Sequence, residues 1–526
     1  MISTHTYKEN YFWQLFALLS IILLFRLGAT PIYILDEAKN SQCAREMLMN
    51  SNGIIPTFNG ELRTDKPPLH YFFMMAAYKI FGQTPFAARF FSAIMGLLTV
   101  LVSYHYTKKF LNAASGFCVA LVLACSTHFL FEFRLAVPDP YLIFFITLGL
   151  FSGFSWLQTQ KPLDMLLTSV SLAMATLAKG PIAIALPGFC FLLWIVLKKK
   201  WPVLFSWSFL SGIIIYFIIA IPWYYAVYKA TNGEWIKGFF VDHNLNRFSD
   251  PQEGHGGFFL VTILFVLIGL IPFMSFLGEV IKARKELFKN DFILFCGIVV
   301  LAFVVFFSIS STKLPNYPMP CYPFAAVILG VFIYLLINGA VTSKKYPLYI
   351  LTVFTFILPV AGYFAIKQEA EAAHVSWIAL TLFVCPVILF GYFFIIKTAD
   401  WQKRIAVIAF AFSLFNITGL HYVYPVLYSQ NPVTKTITTV KNYQHIYSYD
   451  TFNPAYRFYL DKDVPVTTSL PELKHWLDST PNALIITRTY FVDTLKALPL
   501  QNVATHHDLF ELPTTVIFKA DAKPES

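Results

Sequence analysis

Charge is scarce in this sequence. Only 13% of its 526 residues are Asp, Glu, Lys or Arg, against 57% hydrophobic and 18% aromatic. Soluble domains carry nearly twice that share of charge, so the composition excludes a soluble globular class and indicates a polytopic membrane protein. Cysteine is equally uninformative as a framework: there are seven, with no paired spacing. Cys118, Cys125, Cys190, Cys296 and Cys385 fall inside apolar runs. Cys43 and Cys321 lie in polar stretches, and no disulfide between them follows from the sequence. No glycine-rich loop follows a strand and no Asp-x-Asp is read as metal-binding, which removes the usual nucleotide-sugar pocket. The histidines show no metal-ligand spacing, and there is neither an internal repeat nor a low-complexity tract. The first apolar run lacks a small-residue cleavage site, so it is expected to stay as a helix.

What is present is apolar runs punctuated by lysine. A net charge of +10 invites a nucleic-acid reading, but most of the lysines cluster at the ends of apolar runs, where they set topology. By the criterion of about 20 apolar residues per span, thirteen helices are expected: Tyr11–Gly28, Phe86–Tyr106, Ala113–Phe131, Tyr141–Leu157, Leu163–Ala178, Ile182–Leu197, Val203–Pro222, Phe258–Leu277, Phe292–Ser310, Phe324–Ile337, Tyr346–Ile366, Val375–Ile396 and Ile405–Tyr424. Lys8, Lys108, Lys109, Lys161, Lys198, Lys199, Lys200, Lys282, Arg284, Lys285, Lys289, Lys344, Lys345, Lys397, Lys403 and Arg404 occupy alternate loops together with the N-terminus. Those segments are assigned to the cytoplasm, which puts the C-terminus outside.

The opposite loops, 29–85, 132–140, 223–257 and 311–323, are longer and mix carboxylates, cations, prolines and aromatics. Within the first, an amphipathic helix is expected over Asp36–Met49. Leu69–Phe81 is apolar but too short to cross, so it is expected to lie along the interface. Residues 1–428 form the membrane domain on this reading, and 429–526 a small α/β domain outside it. Gln444–Tyr449, Ala483–Thr487 and Thr515–Lys519 read as strands, and Pro454–Leu460, Pro471–Leu477 and Tyr490–Ala497 as short helices.

The chemistry gathers on the outer loops. Asp36, Glu37, Arg63, Asp65, Lys66, Glu132, Arg134, Asp139, Lys179, His243, Arg247, Lys313 and Tyr317 all fall there. Charges beside a bilayer are costly unless they pair or bind something. Pro67-Pro68 stiffens the chain after Asp65-Lys66 and suits it to holding an anionic head group. Lysine and arginine neutralise a leaving phosphate, an aromatic hydroxyl donates to it, and a carboxylate serves as general base or steadies an oxocarbenium-like sugar. Each residue also has an ordinary reading. Asp36 is a favoured N-cap, Asp139 between two prolines suits a turn, Lys179 at a span end snorkels, and Tyr317 among prolines anchors an interface. Asp65-Lys66 alone is a weak motif, Arg247 is an ordinary loop arginine, and His506-His507 fits an exposed strand or turn.

The order Leu35-Asp36-Glu37-Ala38, Asn59-Gly60, Thr64-Asp65-Lys66-Pro67-Pro68-Leu69, Phe81-Gly82, Ala88-Arg89-Phe90, Asp139, Lys179-Gly180-Pro181, His243-Asn244, Arg247-Phe248 and Lys313-Leu314-Pro315 with Tyr317 resembles the GT-C glycosyltransferases. These are the protein-O-mannosyltransferase superfamily, family 39-like, and the resemblance is strongest to the branch that adds aminoarabinose to lipid A. It covers nearly the whole chain, and no large β-trefoil insertion of the eukaryotic type is present. It implies an inverting transfer on the periplasmic face of the bacterial inner membrane, from a polyprenyl-phosphate sugar to a glycolipid or protein acceptor. Asp36 and Asp139 match the two catalytic acidic positions. Lys66, Arg247 and Tyr317 match positions that hold the lipid phosphate, while Glu37, Arg63, Asp65, Lys179, His243 and Lys313 are further cavity candidates. Asp65 stands where the aminoarabinose branch often has Glu. No cofactor is assigned, a divalent metal is left open, and nucleic acid is not expected as a partner. The alternatives are a protein O-glycosyltransferase on the same scaffold and a lipid or solute transporter, the latter disfavoured because the charges sit at span ends rather than midplane and no two halves repeat.

Overall fold

A computed structural model describes residues 9–245, 257–396, 399–480 and 482–520. All thirteen apolar runs lie in helical segments. Among the described residues eight helices are long and apolar enough to cross a membrane, or nine if one bent pair counts as a span. Asn10–Leu24, Ala113–Cys125 and Ile182–Leu197 are shorter apolar helices, so thirteen crossings require these three and Pro162–Lys179 to span as well. Side chains fix the helix starts: Thr84 accepts from Ala87 N, Asn112 from Ser115 N, and Asn290 from Phe292 N and Ile293 N. Each satisfies a backbone donor that the first turn leaves open. Lys108 and Lys109 close the Pro85–Phe110 helix, where their charge complements the helix dipole.

Three segments depart from the simple reading. The expected span Phe258–Leu277 is broken: Leu260–Gly269 and Phe273–Lys282 meet at 113°, because Pro272 cannot continue the first helix. The expected Val203–Pro222 span is instead Trp207–Ala230, which carries Pro222 in its interior and extends well beyond it. Ala113–Phe131 divides at Ser126 into Ala113–Cys125 and Thr127–Glu132. The bundle has an inside and an outside. Asp139–Thr159 is its central post, with 89% of its apolar window buried, whereas only 22% of that of Trp207–Ala230 is covered.

Over one end of the bundle lies a polar layer built from the first long loop and the C-terminal segment. The five-stranded sheet runs Val466–Thr467, Ile446–Tyr449, Leu484–Arg488, Thr514–Ala520, Leu500–His507, parallel across the first three and antiparallel across the rest. Leu500–His507 forms an additional edge strand, and Val492–Leu495 is a single turn where a longer helix was expected. The helix expected to be amphipathic, Leu35–Met49, is buried on nearly every side from Glu37 to Met47. The C-terminal segment covers what would have been its polar face. Arg45 Nη1 donates to the Phe458 carbonyl at 2.9 Å, Ile32 N donates to Tyr459 OH at 2.7 Å, and Asn59 exchanges bonds with Val464 at 2.9 and 3.0 Å. Ile32, Ala38 and Cys43 share one apolar cluster with Val433, Ile446 and Ile517. The sequence's literal Asp-x-Asp, Asp461-Lys462-Asp463, lies in this contact, its carboxylates paired with Arg45 and Arg457. All seven cysteines are free and buried, including Cys43 and Cys321.

Candidate active site

Glu46 sets the path of the loop that carries the Asp65-Lys66 pair. Its buried carboxylate accepts from Thr57 Oγ1 at 2.8 Å, Asn59 N at 2.8 Å and Gly60 N at 3.3 Å. Asn59 and Gly60 both take positive φ, 56° and 81°, as a two-residue hairpin turn requires. The chain leaving this hairpin is then pinned by Trp235 Nε1, which donates to the Arg63 carbonyl at 2.9 Å. Gly238 presses against Thr64 so closely that a Cβ would stand 2.7 Å from its hydroxyl. Thr64, Asp65 and Lys66 are therefore held on a braced turn just before the Leu69–Phe81 helix.

Asp65 is the hub of that turn. Arg63 Nε lies 3.2 Å from Oδ2 and His243 Nε2 lies 3.0 Å from Oδ1. Burial alone would raise its carboxyl, but the His243 hydrogen bond and the Arg63 charge outweigh burial and hold it below the ordinary range. Asp36, in the first turn of Leu35–Met49, remains exposed. Crowding opposes its charge, yet Lys66 and Arg63 prevail and keep it below its ordinary value of 3.8. It is a carboxylate at neutral pH.

A second group enters from three other elements. Asp139 opens the central helix Asp139–Thr159 immediately after Pro138, and Lys179 ends Pro162–Lys179. Lys179 Nζ lies 2.5 Å from Asp139 Oδ1 and 4.9 Å above the ring of Tyr317. The chain turns sharply after Lys179 at Gly180, φ +91°, where a Cβ would stand 2.6 Å from Phe239. One cavity is lined by Asp65, Lys66, Lys179, His243 and Tyr317 at its polar end, and by Leu142, Ile146, Ile182, Phe239, Phe303, Phe306 and Phe307 along its wall. Cations and a phenol thus meet an apolar, mostly aromatic surface in a single space.

Other expected residues sit elsewhere. Glu37 is buried in a two-pronged pair with Arg89, at 2.6 and 2.7 Å, and also accepts from Ala136 N at 2.9 Å. Lys313 Nζ donates to the carbonyls of Ser308 and Ser310 at 2.9 and 2.7 Å, capping the Asp291–Ile309 helix. The Arg63 side chain is buried, with Nη1 and Nη2 lacking hydrogen-bond partners. Arg247 lies outside the described residues. Arg89 is a residue that motif reading did not assign a role; its signal was a charge at the start of an apolar run. Among the described residues no group of three or more His, Cys, Asp or Glu is arranged to hold a metal. Asp65 and His243 provide two such groups, in contact with each other rather than opened around an ion.

Residues 65–225 match the family described as dolichyl-phosphate-mannose-protein mannosyltransferase. An undecaprenyl phosphate-alpha-4-amino-4-deoxy-L-arabinose arabinosyl transferase of Proteus mirabilis is 28% identical over 404 residues, 75% of this chain and 68% of that protein. The corresponding transferase of Edwardsiella ictaluri is 26% identical over 330 residues, covering 60% of this chain and 59% of its own length. The crystal structure of ArnT from Cupriavidus metallidurans bound to undecaprenyl phosphate superimposes with a TM-score of 0.80 at 17% identity, over 99% of this chain and all of that one. The chain shares the fold of that GT-C glycosyltransferase. Its architecture is that of a polytopic GT-C membrane enzyme, and the cavity described above is the GT-C enzyme's candidate active site.

Proposed function

We propose that this GT-C enzyme moves a sugar, with inversion, from a polyprenyl-phosphate carrier to an envelope glycolipid of the lipid A kind, on the periplasmic side of the inner membrane. The observation that carries the reading is the single cavity in which Lys66, Lys179, His243 and Tyr317 face an aromatic wall. The polar end suits a phosphate and the wall suits an isoprenoid, while a neutral solute would need neither. The relatives named as arabinosyl transferases support the donor class. A protein acceptor is the second reading, favoured by the description of the family that matches residues 65–225.

In the proposed reaction an acceptor oxygen attacks the anomeric carbon as the bond to the phosphate oxygen breaks, and polyprenyl phosphate departs. Asp36, ionised and exposed, receives the acceptor's proton or steadies the positive charge that develops on the sugar. Lys66 and Tyr317 take the departing phosphate, joined by Arg247 from the sequence assignment. Asp139 orients Lys179 over Tyr317 and so sets where that cation meets the phosphate. Thirteen crossings with the N-terminus cytoplasmic, a membrane domain of residues 1–428 and an outer domain of 429–526 complete the proposal.

Mass spectrometry of lipid A and of secreted proteins from a deletion strain tests this directly. The strain complemented with wild type is expected to regain a sugar-modified glycolipid that the strain complemented with Asp36→Asn lacks. A modification restored on secreted proteins alone would move the acceptor to the second reading. Identical profiles in all strains would refute the transferase assignment.

A further inference from the structure

Glu132 is the one carboxylate of this region that the pairing around it leaves out. It ends the short helix Thr127–Glu132, is 4% exposed, and its Oε1 is buried without a hydrogen-bond partner. Among the described residues three neighbouring acids are ion-paired, Glu37 with Arg89, Asp139 with Lys179 and Asp65 with Arg63, and Asp36 is exposed. The nearest cation in sequence, Arg134, is turned the other way. Its Nη1 donates to the carbonyls of Ile22, Leu23 and Phe25 at 2.7, 2.9 and 3.2 Å, closing the end of the first helix.

A buried carboxylate with no ion pair and an unpartnered oxygen costs several kcal/mol, and taking up a proton is the cheaper state. Building on the proposed donor site, we infer that Glu132 is a positioning residue, kept as a neutral carboxylic acid beside the Asp139–Lys179 pair so that Lys179 remains available to the donor phosphate. The groups facing it are Asp139 and Lys179 from the two helices that meet at the cavity, Asp36 and Glu37 from the outer helix, and Tyr322 from the helix Tyr322–Ile337. His128, one turn earlier on its own helix, is engaged with Tyr322 OH at 3.0 Å. Burial drives the Glu132 carboxyl well above the ordinary carboxylate range; the Asp139 charge adds to that rise and Lys179 opposes it. Ionised, Glu132 would set a second carboxylate against Lys179 and add negative charge where a phosphate must bind. Neutral, it leaves Asp139 as the only carboxylate holding that ammonium.

Two measurements test this on the full-length protein in detergent. The first is infrared: the difference spectrum of wild type minus Glu132→Gln near neutral pH is expected to show the carbonyl stretch of a protonated carboxylic acid. A spectrum without that band overturns the inference. The second follows kcat and KM for a polyprenyl-phosphate sugar against pH in wild type, Glu132→Ala and Glu132→Gln. The alanine variant is expected to lose at least about tenfold in kcat/KM, and glutamine, which matches the neutral acid in shape, to recover most of that loss. On the alkaline side the wild-type KM is expected to rise before that of Glu132→Gln. Glutamine no better than alanine, or alkaline profiles that coincide, overturns the inference. A wild type that transfers no sugar from the carrier counts against the donor assignment instead, since the infrared result does not depend on it.

Discussion

Replacing Arg89 by methionine should damage an active site that Arg89 never touches. The guanidinium and the Glu37 carboxylate are each 1% exposed and meet through two bonds of 2.6 and 2.7 Å. Arg89 also donates to the carbonyls of Leu27 at 3.1 Å, Thr30 at 2.6 Å and Pro31 at 3.3 Å. Methionine keeps much of the apolar stem but leaves Glu37 as a buried charge and three carbonyls without their donor. Breaking a buried pair from one side costs about 3–5 kcal/mol, and Glu37 directly follows Asp36 in the first turn of Leu35–Met49. The expected result of unfolding in mixed micelles is a loss of about 3–5 kcal/mol for Arg89→Met. The double variant Glu37→Gln with Arg89→Met should be less destabilised than the single charge-stranding change predicts, because the buried charge is gone. Transfer should fall in Arg89→Met as Asp36 loses its fixed position. A cost below about 1 kcal/mol, the size of an exposed pair, would refute the claim that this interaction anchors the Asp36 helix to the Pro85–Phe110 helix.

Three further expectations follow from the site. Asp36→Asn should lower kcat by about a hundredfold or more without lowering the melting temperature, since the side chain is exposed; full activity in purified enzyme would remove Asp36 from the chemistry. Lys179→Gln should raise the KM for the donor by about tenfold or more, because a charge-assisted phosphate contact is replaced by a neutral one, and an unchanged donor KM would show that Lys179 serves Asp139 alone. Stability should fall between pH 7 and pH 5 through His70, which is fully buried with both ring nitrogens unpartnered. Burial, with Arg63 and Lys66 adding, holds its imidazole well below the ordinary 6.5. The unfolded chain therefore binds a proton that the folded one refuses, and the contribution present above pH 6.5 shrinks as pH falls, by about 2 kcal/mol at pH 5. Asp36 and Asp65 act in a lower window, below about pH 4, because their folded values lie under the ordinary 3.8. Thermal melts of wild type and His70→Gln at the two pH values check this; parallel losses in both proteins would contradict it.

The apolar runs made the helical bundle legible, since twenty residues without charge have few alternatives in a bilayer. Asp36, Lys66, Asp139, Lys179 and Tyr317 were legible as candidates because charges and phenols stand out at span ends. Direction was not. Lys313 looked like Lys66 in sequence, yet its ammonium turns back onto the carbonyls of Ser308 and Ser310. Glu37 looked like Asp36, but one step along a helix rotates a side chain by about 100°, enough to carry it from the open face to Arg89. The burial of Leu35–Met49 was hidden for a different reason: the Arg45 partners Phe458 and Asp461 lie some four hundred residues away, and local periodicity cannot register them. The break at Pro272 was visible as a proline inside an apolar run, but the 113° angle between its two halves was not.

The central claim is that one cavity grips a phosphorylated isoprenoid by its phosphate. Binding of polyprenyl phosphate and of the uncharged polyprenol to the purified protein, compared between wild type and Lys66→Ala, tests it most directly. Wild type should prefer the phosphate by about tenfold or more, and Lys66→Ala should lose most of that preference while binding the alcohol as before. Equal binding of phosphate and alcohol by wild type, or a preference that survives in Lys66→Ala, would contradict it.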